Sequence, residues 1–110
     1  MKEFIDFLRR GKFRIPICKS CNLKIWPPSN ICNNCYSKKI RMSKSEMRGQ
    51  LIEHSSSFIG NSKKLGLVEM SGIRIIGILS EGNMNPGSTV KLIKCGVDKD
   101  NLPYFEFSSA

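Results

Sequence analysis

Long apolar runs are missing from this 110-residue sequence: no stretch approaches the roughly 18 to 20 uncharged apolar residues that a membrane helix needs. The opening MKEFIDFLRRGK is charged throughout and has no signal-peptide apolar run. A cytoplasmic location is therefore expected, where thiols stay reduced and paired cysteines are read as metal ligands or redox centres before disulfides. Histidine occurs once, as His54, beside Glu53 and Ser55, and no nucleophile elbow accompanies it. Sequence adjacency is not triad geometry, so His54 is read as an ordinary strand histidine and no catalytic residue is assigned. The glycines form neither a P-loop nor a dinucleotide fingerprint; Gly60, Gly66 and Gly77 are read as bends or crowded positions in a small barrel. Length excludes a large enzyme core, leaving one domain or two small lobes that need a staple.

Acidic residues are also scarce, 9 against 18 Lys plus Arg. The imbalance is confined to the first half: residues 1–50 carry 12 basic and 3 acidic side chains, residues 51–110 carry 6 of each. One zinc ion on four thiolates would leave the protein at about +7. Nucleic acid, a nucleotide-bearing cofactor and an acidic protein all fit that field, as does a solvated basic surface kept for solubility.

What the sequence does have is CKSCNLKIWPPSNICNNC, two Cys-x-x-Cys pairs ten residues apart. Two residues between cysteines let both sulfurs face one ion, so Cys18, Cys21, Cys32 and Cys35 form a tetrahedral donor set. Four protein sulfurs leave no open position for water, so the metal is expected to be structural, and its binding energy becomes folding energy for a lobe too small to hold itself together. Zinc is the expected ion; iron in a rubredoxin-like site uses the same geometry. A thioredoxin-like redox site would need one pair at a helix start in a βαβ setting, which is absent. The fifth cysteine, Cys95 in KLIKCGV, is read as a small buried hydrophobe.

The remaining pattern predicts the elements. Residues 1–11 read as an amphipathic helix with Phe4, Ile5, Phe7 and Leu8 on one arc, stopped by Gly11. Residues 12–42 read as the ribbon, with 13–17 and 23–26 as hairpin partners and Trp26 packing over it, and the basic stretch 37–49 as the boundary. Residues 43–110 read as the barrel domain, the pattern turning to β from Gly49 onward: QLIEHSSSFIG, LGLVEM, IRIIGIL, TVKLIKCGV and LPYFEF, with Ser71-Gly72 as a hairpin turn. Five strands in so short a span suit a closed OB-fold barrel, with an SH3-like barrel as the rival.

Taken together, the helix, the two knuckles about Pro27-Pro28 and the closing PYFEF resemble the acyl-CoA-associated family catalogued as domain of unknown function 35. Ser29 stands where that family often has Arg, and Tyr36 where it often has Gly. The resemblance implies a mainly β protein: an N-terminal helix, a rubredoxin-like zinc ribbon and a five-stranded OB-fold. It also implies a non-catalytic subunit bridging acetoacetyl-CoA thiolase and hydroxymethylglutaryl-CoA synthase in the mevalonate pathway, with acyl-CoA or coenzyme A as ligand. Lys63, Lys64 and Arg74 are nominated as phosphate contacts, and Phe4, Ile5, Phe7 and Leu8 as a docking stripe. The alternative is a single-stranded nucleic-acid-binding protein, disfavoured because LGLVEM and IRIIGIL offer no aromatic for bases to stack on.

Overall fold

The computed structural model of the chain describes residues 1–59, 63–80 and 84–110, the side chains of 56–59 and 63 excepted. Two compact units divide it, residues 1–45 and residues 46–110.

The first unit opens with α1 (Lys2–Arg9). Eight residues are too few for a helix to be stable alone, so its apolar arc must be covered. Phe4 and Leu8 are buried, and Phe4 meets Phe13 and Trp26 edge-on at 6.4 and 5.7 Å between ring centroids. Trp26 closes the cluster against Phe13 at 6.1 Å, so it packs on its own lobe as expected. The helix stops where Gly11 turns left-handed (φ 72°): the N–H groups of Gly11 and Lys12 donate back to the carbonyls of Leu8 and Phe7.

After it comes β1 (Arg14–Cys18), which pairs antiparallel with β2 (Ile40–Lys44) from Arg14↔Lys44 to Cys18↔Ile40. The predicted hairpin partner 23–26 contributes only a bridge, Ile17↔Lys24, flanked by hydrogen bonds from Cys18 N–H to Leu23 O and from Ile25 N–H to Pro16 O. The fuller pairing comes from the stretch read as a boundary. Ile40 and Met42 are half-buried there and alternate with exposed Arg41, a weak period of two inside a basic run.

The second unit contains β3 (Arg48–Ile59), β4 (Lys63–Met70), β5 (Ile73–Leu79), β6 (Thr89–Val97) and β7 (Pro103–Ser109). They close a barrel in the order β3-β4-β5-β7-β6, antiparallel except for β5 beside β7. That parallel crossover belongs to an OB-fold and is absent from a plain meander, which settles the choice of barrel. Ser71 and Gly72, both at positive φ (54° and 79°), make the tight turn between β4 and β5. Asp98 holds the β6–β7 loop by accepting N–H bonds from Asp100 and Leu102 on one carboxylate oxygen, at 2.8 and 3.0 Å.

Crowding explains two glycines. A Cβ on Gly66 would lie 2.8 Å from a Leu79 methyl, and one on Gly77 would collide with the Phe107 ring. The barrel core is built from such inward positions, with Leu51, Val68, Val90 and Phe107 fully buried. Gly60 lies outside the described residues.

Candidate metal centre

The two knuckles are built alike. In the first, the N–H of Asn22 donates to the carbonyl of Cys18 at 2.9 Å, and the N–H of Cys18 to the carbonyl of Leu23 at 2.9 Å. In the second, Tyr36 donates to Cys32 and Cys32 to Ser37 at the same 2.9 Å. Each turn is completed by a residue at φ 61°, Asn22 in one and Tyr36 in the other. β1 delivers Cys18 at its end, and Lys19 N–H to Lys39 O at 2.8 Å ties the first knuckle to the chain leaving the second.

All four sulfurs come within 4.8 Å of one another. Cys18 Sγ is 3.5 Å from Cys35 Sγ, and Cys21 Sγ is 3.6 Å from Cys32 Sγ. A tetrahedral zinc with bonds of about 2.3 Å has sulfurs about 3.8 Å apart, so the donor set fits such an ion closely. Cys18 and Cys32 are buried among Ile25 and Ile40, which keep water from one side of the cluster. Cys21 is half-buried and Cys35 exposed.

The electrostatics call for a cation. The backbone N–H of Cys21 is the largest influence on Cys18, opposed by burial and helped by Ser20 and neighbouring thiols, and it holds that thiol down at about 6. Cys32 is lowered too, first by the N–H of Cys35 and then by that of Asn34, which lies 3.4 Å from its sulfur. Cys35 accepts from the N–H of Ser37, yet the sulfurs of Cys18, Cys21 and Cys32, together with burial, push it up to about 12. A cluster this tight does not hold four negative charges unaided; a divalent ion removes the repulsion. When bound, the ion supplies a cross-link between the knuckles, with every protein position filled and none open for catalysis.

The other nominated residues do not converge. Lys64 stands opposite Leu79, whereas Arg74 stands opposite Glu69 and pairs with its carboxylate at 3.7 Å. Lys64 and Glu69 stand five positions apart on β4, about 17 Å of strand, so Lys64 and Arg74 do not share one phosphate cradle. The side chain of Lys63 lies outside the described residues. On α1, Phe4 and Leu8 are consumed by the lobe's own core; Ile5 and Phe7 are half-buried, and Phe7 carries the guanidinium of Arg10 at 4.7 Å and that of Arg14 at 5.4 Å. Among the described residues, His54 Nδ1 meets only the adjacent Ser55 carbonyl, at 3.3 Å. Cys95 is buried in β6, where desolvation raises its pKa.

The sequence singled out Tyr36 as unusual without seeing its surroundings. Its ring is 77% exposed, and Ser37 beside it places a hydroxyl 3.1 Å from that of Ser20 in the first knuckle.

No protein-family model matches the chain, and no curated protein does. Among solved structures, it is similar to a chain of the "Ltp2-ChsH2(DUF35) aldolase", with a TM-score of 0.80 and 18% identity over 98% of this chain and 92% of that one. The chain thus has, from end to end, the ribbon-and-barrel fold of a structure whose name carries domain of unknown function 35.

Proposed function

We propose that the chain is a non-catalytic accessory subunit of an acyl-CoA enzyme assembly of the thiolase and hydroxymethylglutaryl-CoA synthase type, bridging the enzymes and helping to hold or pass acyl-CoA between them. The observation that carries this reading is the likeness of fold over 98% of the chain to a structure whose name joins a DUF35 component to an aldolase. The chemistry supports it. The four-sulfur site leaves no position for a substrate, and among the described residues His54 has no side-chain partner to activate. The half-buried Ile5 and Phe7 are the part of the helical stripe left for a partner.

The barrel disfavours the nucleic-acid alternative. Alternate residues of β4 and β5 that are not buried are Leu65, Leu67, Glu69, Arg74, Ile76 and Ile78, none of which has a ring for bases to stack on. Co-expression with thiolase-type and synthase-type enzymes, followed by co-purification and assay, tests the proposal. The expected result is a complex, with no acyl-CoA turnover by the isolated chain. Turnover by the chain alone, or association with neither enzyme, rejects it.

A further inference from the structure

We infer that the second cysteine knuckle is a contact surface for a protein partner with an apolar pocket and an acidic rim, Tyr36 being its anchor; the inference rests on the accessory-subunit reading above. Tyr36 occupies the left-handed region at φ 61°, a conformation that favours glycine or asparagine over a bulky aromatic. The first knuckle meets the same demand with Asn22. A tyrosine is thus held where the backbone does not favour one, and the fold gains nothing from its ring. That ring is 77% exposed and has no hydrogen-bond or ring partner among the described residues.

Its surroundings form a patch. Ile31, 42% exposed, precedes Cys32, whose N–H reaches across the knuckle to Ser37 O. The Ser20–Ser37 hydroxyl contact and the Lys19 N–H to Lys39 O bond bring Lys19 and Lys39 to the same edge as Lys38. All three lysines are exposed, with no ion pair among the described residues. Residues 1–45 hold 11 Lys plus Arg against 2 acids, so the field around this tip is positive and calls for an acidic rim opposite.

One aromatic beside one aliphatic is not a platform for successive bases. A single tyrosine ringed by cations is instead the anatomy of a protein interface, where a desolvated aromatic anchor carries most of the affinity.

The test uses the full-length, metal-loaded protein, with the thiolase-type and synthase-type enzymes from the same source as probes. Tyr36→Gly and Tyr36→Asn should keep or raise the melting temperature, because both residues suit the left-handed backbone, while weakening association roughly tenfold or more. The double reversal Lys38→Glu/Lys39→Glu should also weaken it, and wild-type binding should fall with added salt. Equal binding by the wild type and all variants overturns the knuckle surface and leaves the accessory reading standing. Failure of the wild type to bind either enzyme overturns both. Binding of a mixed-sequence single-stranded DNA that is lost in Tyr36→Gly overturns the protein assignment in favour of nucleic acid.

Discussion

Asn22 and Tyr36 hold the same backbone angle, φ 61°, each donating its N–H to the carbonyl of its knuckle's leading cysteine at 2.9 Å. The left-handed region costs an ordinary L-residue about 1–2 kcal/mol, and asparagine less. Asn22→Val should therefore destabilise the metal-loaded protein by about 1–2 kcal/mol, whereas Tyr36→Gly should be neutral or stabilising. Thermal unfolding distinguishes them. A large loss on Tyr36→Gly would mean that the ring is packed into the fold after all.

Metal removal is the second prediction. The reduced protein should carry one divalent ion per chain, and chelation should disorder residues 1–45, where the ion bridges both knuckles. Trp26 is the only tryptophan and sits in that unit, so its fluorescence reports the loss directly. Cys32→Ser should act in the same way. Elemental analysis that finds no metal in freshly purified reduced protein would refute the site.

Binding should also release protons, with a definite sign. Without the ion, Cys35 is held up near 12 and is protonated at neutral pH, whereas the ion binds its thiolate. Affinity must therefore rise with pH, by about a factor of ten per unit for each proton released. Cys18, held down at about 6, adds a further proton below that pH, so affinity falls more steeply on acidification. Competition with a chromophoric chelator between pH 5.5 and 8.5 measures the slope; a flat profile contradicts thiolate ligation.

Residues on one helical stripe should behave differently. Phe4→Ala removes a buried ring from the Phe13–Trp26 cluster and should cost about 3 kcal/mol or more, with a change in Trp26 emission. Phe7→Ala, at a half-buried position, should cost about 1 kcal/mol and leave the emission nearly unchanged. Similar losses for both would place Phe7 in the core.

Much of this molecule is legible in its sequence because the informative signals are local. The Cys-x-x-Cys spacing survives any folding detail, and β5 alternates buried Ile73, Ile75 and Leu79 with exposed Arg74 and Ile76. What stayed hidden depends on distant partners. β2 is masked because Ile40 and Met42 need only half-burial and stand among Lys and Arg. The fate of Phe4 turns on Phe13 and Trp26, 9 and 22 residues away in the chain, which amphipathicity alone cannot reveal. That Arg74 faces Glu69 follows from the β4–β5 register, which the sequence does not display.

Among the described residues, the parallel join between β5 and β7 is two residue pairs wide, Ile78↔Glu106 and Leu79↔Phe107, with Ser80 N–H to Phe107 O at 2.9 Å adding one further bond. Among the described residues it has the fewest paired positions of any join in the barrel, and parallel pairing is slightly weaker per residue than antiparallel. The cylinder therefore behaves as a rolled sheet fastened by a narrow clasp. Its breathing concentrates there, with amides of the clasp exchanging with solvent ahead of those in the long β4–β5 ladder, and each opening lifts Phe107 from the hollow that Gly77 leaves for it.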